Sequence, residues 1–596
     1  MKIKPKSRPY MNRLLYIYIE GLDGYEPFDL NLSHKFEMRF DGEKIAMAVK
    51  DDLYQSLLGD FVDDINVIAG SNGVGKSTLL RRLAYLLAES EDEDDELSFY
   101  ALLVYQTAEK EINIFSYMDN DEPIEPILSE EMRDYKIYYQ YNPPNLARRI
   151  IYYSPFLDFN LLELPTDKDD PTVFDISQTA VIMDDLENND QIMEIQTSLV
   201  YHKLKNSRRQ LTFVNAARDR FQLPFKLPQH VYIAFKRLSP DKNDISVGDN
   251  SLFDQLQAFC ATHFREYPEN KMPRELMAQL MFLRNLLTAY FLAINANKSQ
   301  NILNHRFPKE LETKLLAYNG NEPALLRDLL VEFFEQEDVF VESLFRELID
   351  LVDEMIFDKG TRIHFRDTNN ALFLGVSTDA PFVGRLTTLI DRVQNSTNAR
   401  LLTEPLYKLV NFEWQNFSSG EKMFLDLFSR FYDVIGKVKT DERSLVILID
   451  EGEMGFHPSW QIKYVRYLCD FFNELSGGHR MQLILTTHSP LVLSDFPREH
   501  VHLFKLENDR RVKMPSIGTF VQNVSALLAD DFFIESALVG ELARAYVERV
   551  IQMINNRDDL VGANDQGKRI EEAIDRIDDP LVRNLLYKSL TGKRND

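Results

Sequence analysis

The chain has 596 residues, of which 68 are basic and 94 acidic, for a formal net charge of −26, and 44% are apolar. That much core-forming material excludes a globally disordered chain, and the acidic balance argues against a protein that coats polyanions. Two cysteines, Cys260 and Cys469, are too few for a disulfide framework or a four-cysteine zinc site, which fits a reducing cytoplasm.

The first 65 residues read as strands. LLYIYIEG, FDLNLS, KFEMRF and KIAMAV alternate or run apolar between Asp, Gly and Asn punctuation. INVIAG follows as a short buried strand, then a glycine-rich turn. TLLRRLAYLLAES reads as a helix with Leu79, Leu80, Leu83 and Leu87 on one face, ended by the acidic run Glu91 to Glu96. ARRIIYYS, closing at Ser154, is the best strand between 97 and 200. From Ser251 to Asp358 the pattern is helical but interrupted, too broken for a long coiled-coil arm. Its most apolar stretch, Met277 to Ile294, is broken by Arg284 and Asn285, short of the ~20 residues that a spanning helix needs, so no membrane segment is expected. The basic start of the chain has too few apolar residues for a secretory leader. Strand character returns at TRIHF, FLGVS, LVILI and QLILTT. The last two are continuous apolar runs of the kind that a parallel sheet covered on both faces requires. The final segment is helical.

Gly70 to Thr78, GSNGVGKST, satisfies GxxxxGK[ST] between an expected strand and an expected helix. The glycines let the N–H groups of Asn72, Gly73, Val74 and Gly75 curl around phosphate, and the helix start at Thr78 adds partial positive charge. Lys76 reaches the β and γ phosphates of ATP, and the Ser77 hydroxyl suits Mg2+. SLVILIDEGEMGFHP places Asp450, a magnesium carboxylate, and Glu451, positioned to polarise a water, at a strand tip. QLILTTHSP ends another strand at His488, which can sense a γ-phosphate. NFSSGEKMFLDLFSRF opens a helix with Phe424, Leu427, Phe428, Phe431 and Ile435 on its apolar face; Ser418 or Ser419 is its natural cap.

Taken together, the phosphate loop, the FSSGE segment, the DE-ending strand and TTHSP resemble an ABC-class ATPase of the RecF/SMC branch. The resemblance implies an α/β P-loop head split by a large helical insertion, with an N-terminal antiparallel β portion and a C-terminal helical tail. The divisions expected are 1–200 for the first part of the head and 201–360 for a mainly helical lobe. Residues 361–510 would complete the head, and 511–596 would form a helical partner-binding region. It also implies a head-to-tail dimer or higher oligomer closing over two Mg-ATP. In it the signature residues Ser418, Ser419, Gly420 and Glu421 face the partner's nucleotide. Ser419 stands where the family has a glycine, which weakens the closest phosphate approach. Glu453, His457 and Pro458 match an interface loop of this branch, whereas its Q-loop glutamine has only weak counterparts in Gln140 and Ser154. Gly518 to Ala543, and IDDPLVRNLLYKSL near the end, resemble the PtuA-type ATPases of Septu and retron-associated antiphage systems. That likeness implies an HNH nuclease partner of the PtuB type and, in retron versions, a reverse transcriptase with its msDNA. No nuclease constellation is evident in the chain itself.

A second reading is a RecF/SMC-like repair or chromosome-maintenance ATPase that binds DNA directly. The basic segment Lys203 to Arg209, with Arg148, Arg149, Arg218, Arg220, Lys226, Lys236 and Arg237, could contact DNA or RNA. Tyr201, Phe213, Phe221 and Phe225 interleave with it. The bland alternative, the charged face of an ordinary domain, is favoured. A transporter engine is disfavoured by the long separation of phosphate loop and signature.

Overall fold

The computed structural model of the chain describes residues 13–50, 53–88, 99–117, 124–140, 148–158, 172–187, 195–218, 223–236, 339–366, 371–378, 381–395, 409–414, 417–438, 444–515, 517–522, 541–555 and 564–592, with parts of 273–286 and short pieces at 164, 220–221 and 327–328. The acidic run at 91–96, most of the expected helical lobe and residues 523–540 lie outside them. Two units divide the chain, Met1–Phe520 and Val521–Asp596.

The first unit opens with β1 (Arg13–Glu20), β2 (Phe28–Asn31), β3 (Phe36–Phe40), β4 (Lys44–Val49) and β5 (Val62–Gly70), which runs through the glycine-rich turn into α1 (Lys76–Leu87). Next come β6 (Tyr100–Ala108), β7 (Glu111–Ser116), β8 (Glu125–Leu128), β9 (Lys136–Gln140), β10 (Arg148–Tyr153) and β11 (Val173–Asp175). The helices α2 (Gln178–Glu187) and α3 (Ile195–Ala217) precede β12 (His230–Phe235), α4 (Val339–Phe357), β13 (Arg362–Arg366), β14 (Ala371–Ser377), α5 (Pro381–Asn395) and β15 (Val410–Glu413). The unit closes with α6 (Ser419–Ile435), β16 (Ser444–Asp450), α7 (Pro458–Gln461), α8 (Tyr464–Leu475), β17 (Met481–Thr487), α9 (Pro490–Leu493), β18 (Val501–Glu507) and β19 (Arg510–Met514).

A seven-stranded sheet in the order β11-β10-β16-β17-β5-β18-β19 organises this unit, with every neighbouring pair parallel except the β18–β19 hairpin. β5, β16 and β17 are buried at every position, so both faces of the sheet are covered. On one face lies α1, whose Leu79, Leu80, Leu83 and Leu87 pack between Ile68, Val446, Leu448 and Ile484 of the sheet and Leu14, Ile17 and Leu103 of a second sheet. That second sheet, β2-β1-β6-β7-β9, is the antiparallel N-terminal portion apart from its parallel β7–β9 edge. Elsewhere in the unit, α6, α8 and α3 join in an aromatic cluster: Phe424 stacks on Phe428 at 4.3 Å, Phe428 meets Phe471 edge-on at 4.7 Å, and Phe213 of α3 packs on Phe428 at 6.4 Å. Fully buried rings of this size carry much of the burial free energy, ~1.5–3 kcal/mol each.

Three strands are tied by one buried carboxylate. Asp64 of β5 accepts from Arg13 Nε of β1 at 2.6 Å, from the His34 amide at 2.8 Å and from Gln482 Nε2 of β17 at 2.9 Å. Burial raises the pKa of this acid, but the Arg13 guanidinium outweighs it and holds the carboxyl below its usual range.

Two boundaries differ from the sequence reading. β12 lies inside the segment expected to be mainly helical, yet it pairs antiparallel with β14 and β15 in a four-stranded sheet ordered β13-β14-β12-β15. Its partners lie well over a hundred residues away, so local periodicity carried no trace of the pairing. β19 completes the central sheet, so the head runs past 510 and the division falls after Phe520.

The second unit, taken alone, is a helical cluster of α10 (Glu541–Asn555), α11 (Asn564–Asp575) and α12 (Pro580–Gly592). Val550, Ile554, Ile570, Ile574, Leu586 and Leu590 form its core. Asp579 accepts from the Leu581 and Val582 amides at 2.9 Å each and so satisfies the start of α12. Among the described residues no helix is long and apolar enough to cross a membrane.

Candidate nucleotide-binding site

The C-terminal ends of three adjacent parallel strands, β5, β17 and β16, supply the candidate groups, which is where open α/β sheets place ligands. After β5 the backbone turns through Gly73 and Gly75, both at φ near +80°, before Lys76 starts α1. At Gly70 φ is not positive, but a Cβ would meet the Phe504 carbonyl at 2.5 Å, so close strand packing rather than turn geometry demands glycine there. Asn72, Gly73 and Val74 complete the turn, and Ser77 and Thr78 occupy the first turn of the helix.

Lys76 is buried and folds back over its own loop, donating from Nζ to the Gly70 and Ser71 carbonyls at 3.3 and 3.4 Å. Its Nζ also lies 4.0 Å from Glu451 Oε1 and within hydrogen-bond reach of His488 Nε2. His488 Nε2 is in turn 3.0 Å from Glu451 Oε1. One ring nitrogen therefore faces both partners: without a proton it accepts from lysine, and with one it donates to the glutamate. Burial draws the Lys76 ammonium below its usual pKa while Glu451, Asp450 and Glu453 pull the other way. For Glu451 burial raises the pKa, but the His488 hydrogen bond and the nearby charges more than offset it and leave the carboxyl ionised below its usual range.

Glu451 has a left-handed backbone at φ 46°, costly for a residue with a Cβ. Its amide is held by the Thr486 carbonyl at 3.2 Å and the Thr486 hydroxyl at 3.0 Å. The same Thr486 hydroxyl donates to Asp450 Oδ1 at 2.6 Å. Burial raises the pKa of Asp450 and outweighs the hydrogen bonds from Thr486, Ser77 and Ser154 that lower it. Ser77, Asp450 and Ser154 thus present a set of hard oxygen donors, and such a set fits Mg2+, which binds through one or two carboxylates, waters and substrate phosphates.

Ser154 directly follows β10, the strand beside β16, and its Oγ donates to Asp450 Oδ2 at 3.3 Å. Gln140, the other weak Q-loop candidate, donates to Asn113 Oδ1 at 2.8 Å in the N-terminal sheet, so the structure brings only Ser154 to the site. A strand register could not be read from the sequence, so Ser154 was no more than a weak candidate there.

Ser418 caps α6. Its Oγ accepts from the Glu421 amide at 3.2 Å and donates to Glu421 Oε2 at 2.7 Å, and its own amide donates to the same oxygen at 2.7 Å. Ser419 and Gly420 form the first turn. A Cβ on Gly420 would lie 2.9 Å from the Gly455 carbonyl, so the loop after β16 requires glycine here independently of any phosphate. In that loop Glu453 is buried, with Oε1 accepting from the Thr487 hydroxyl and Oε2 without a partner among the described residues. His457 Nδ1 caps α7 by accepting from the Ser459 amide at 3.2 Å.

Part of the basic segment is paired with acids of the chain itself. His202, Lys205 and Arg209 converge on buried Asp185 at 2.8, 3.1 and 3.3 Å, and Arg220 pairs with Glu474 at 3.0 Å. Arg149 is buried. Phe213 belongs to the aromatic core, and Phe225 packs on Phe424 at 5.3 Å and Trp460 at 5.5 Å, so these rings are not platforms for bases. Arg237 lies outside the described residues.

The sheet order, the glycine-rich turn and the polar groups gathered at the strand ends define a P-loop ATPase-type α/β head. Residues 318–494 match the family described as "AAA domain, putative AbiEii toxin, Type IV TA system", a stretch that holds the signature, Asp450–Glu451 and His488 but not the phosphate loop. No curated protein matches the sequence. Among solved structures, one described as the recombination mediator protein RecF-ATPrS in the RecFOR pathway is similar at 11% identity and a TM-score of 0.22, covering 85% of this chain and all of its own. Another, an SmcHead bound to the C-winged helix domain of ScpA, is similar at 10% identity and a TM-score of 0.20, covering 85% of this chain and 98% of its own. At such TM-scores the fold assignment rests on strand order and site geometry and not on either likeness.

Proposed function

We propose that the chain binds and hydrolyses ATP, and that two copies close head to tail over two nucleotides. The observation that carries this reading is the meeting of Lys76, Glu451 and His488, drawn from three distant segments to adjacent strand ends. In the proposed reaction Lys76 neutralises the β and γ phosphates, and the amides from Asn72 to Lys76 cradle them. Glu451 orients and polarises the attacking water, and His488 holds the γ-phosphate end. Ser77 and Asp450 would hold Mg2+, which supplies charge neutralisation across the phosphates. Ser418, Ser419 and Gly420 at the N-terminus of α6 would complete the site of the second copy, where the helix start favours anions.

The work done with ATP is, in this reading, control of a separate effector nuclease of the HNH type in antiphage defence. Its support is the likeness of the C-terminal segments to PtuA-type ATPases, and the exposed Leu542, Leu581 and Leu585 on the helical unit, which suit a protein partner. A reverse transcriptase with msDNA would join in a retron version. The pairing of Lys205, Arg209 and Arg220 with acids of the chain itself makes direct DNA binding by a repair-type ATPase the weaker reading.

Glu451→Gln tests the core of the proposal. The variant should keep ATP bound, lose turnover by two or more orders of magnitude and accumulate dimers in ATP on size exclusion with light scattering. Wild-type turnover in that variant would remove Glu451 from the reaction.

A further inference from the structure

Two residues outside the GxxxxGKS motif lean on the phosphate loop. Tyr25, in the turn between β1 and β2, donates from its hydroxyl to the Gly75 carbonyl at 2.8 Å. Arg511, on the edge strand β19, lies with its guanidinium 5.0 Å from the centre of the Tyr25 ring. A Cβ built on Gly75 would sit 2.7 Å from both Arg511 Nε and Tyr25 Oη. Gly75 is therefore glycine for two reasons: the left-handed turn, and the arginine and tyrosine pressed against it.

Arg511 is held there from its backbone. Its amide donates to the Gly24 carbonyl at 2.8 Å, and the Glu26 amide donates to the Arg511 carbonyl at 2.9 Å. Its neighbour Arg510 has an acid, Glu26, at 2.6 Å, whereas Arg511 forms no ion pair among the described residues and its buried Nε has no hydrogen-bond partner. A buried N–H without an acceptor is costly, and a guanidinium fixed beside a phosphate cradle calls for an anion.

We propose that Arg511 is a nucleotide-binding residue that contacts the α-phosphate end of ATP. The inference rests on the nucleotide reading above. Lys76 turns toward Glu451 and His488 and so marks the γ-phosphate end, while Arg511 sits against Gly24, Tyr25 and Gly75. Backbone amides of such a loop cradle the α and β phosphates, so a cation leaning on Gly75 is placed for the nucleoside side. Its fork would share the α-phosphate with those amides, and the Tyr25 face would keep it flat.

The test is competition of unlabelled ATP and ADP against a fluorescent ATP analogue, with magnesium, on the full chain as wild type, R511Q and K76A. R511Q should weaken ATP and ADP by the same factor, about tenfold to a hundredfold for a charge-assisted hydrogen bond. K76A should weaken ATP more than ADP, because it removes the γ-phosphate contact; the same bias in R511Q would place Arg511 at the γ end and overturn the proposal. Wild-type affinity of R511Q for both nucleotides would overturn it as well. Absence of binding by the wild type would instead overturn the nucleotide reading and this inference with it. If R511Q lowers the melting midpoint of the protein without nucleotide, R511K replaces it. R511K keeps charge and stem but not the fork and should still lose several-fold for both nucleotides, and no loss there refutes the contact.

Discussion

Replacing Glu453 by glutamine is predicted to stabilise the head at alkaline pH and leave it unchanged at acid pH. The carboxyl is enclosed: Oε1 accepts from the Thr487 hydroxyl and Oε2 has no partner among the described residues. Burial first, and then the charges of Glu451 and Asp450, push its pKa from 4.5 to about 7 against the Thr487 hydrogen bond. A displacement of that size separates the two protonation states by roughly 3 kcal/mol. The folded carboxyl holds its proton more tightly than the unfolded one. Its contribution is therefore whole below the unfolded value of 4.5 and is lost as pH rises through about 7. Glutamine copies the protonated acid, since its carbonyl can take the Thr487 hydroxyl and it cannot ionise. The stability difference should be near zero at about pH 4.5 and grow to roughly 3 kcal/mol in favour of E453Q by about pH 8. Urea unfolding across that range measures it, and the two tryptophans of the chain, Trp414 and Trp460, both lie in the first unit, so their fluorescence follows the head. A difference that stays constant with pH, or a wild type more stable at pH ~8, would refute the reasoning from burial.

Three further outcomes are expected. Arg13→Met leaves Asp64 buried without its cation and should cost about 3–5 kcal/mol, read as a lower urea midpoint of the head; a loss under about 1 kcal/mol would mean that Asp64 is not held as an ion pair. Gly420→Ala drives a methyl toward the Gly455 carbonyl and should cost about 1–3 kcal/mol without any nucleotide present, which separates its packing role from a phosphate role. Ser418→Arg should block ATP-dependent dimerisation while the isolated head still binds ATP; dimers formed as in the wild type would refute the signature reading.

What the sequence made legible was local. The apolar faces of α1 and α6, the continuous runs of β16 and β17 and the glycine-rich turn each declare themselves within a short window. The windows also gave Lys76, Asp450, Glu451 and His488 as candidates. What stayed hidden depends on which distant segment lies alongside. Arg13 meets Asp64, β12 pairs with β14, and Ser154 reaches Asp450 only because β10 lies next to β16. No periodicity records such neighbours. The Gly420 constraint is of the same kind: a motif explains the residue, and so does the carbonyl packed on it, and only the fold exposes the second cause.

The basic segment shows how composition can mislead in the opposite direction. Clustered cations in a chain of net charge −26 raise the idea of a nucleic-acid surface, even where the charged face of an ordinary domain is the favoured reading. Yet a cation contributes to an external field only to the extent that it is not neutralised nearby. Asp185, itself fully buried, draws His202, Lys205 and Arg209 inward, and its carboxyl is held below the usual range because their charges and hydrogen bonds outweigh its burial. These groups stabilise the contact between α2 and α3 instead of neutralising a phosphate backbone. Truncating them would thus weaken the fold before it altered any salt-dependent binding. If the protein does engage nucleic acid, the slope of affinity against salt should survive Lys205→Ala, whereas the urea midpoint should fall. A reduced slope with an unchanged midpoint would restore this segment as a nucleic-acid surface.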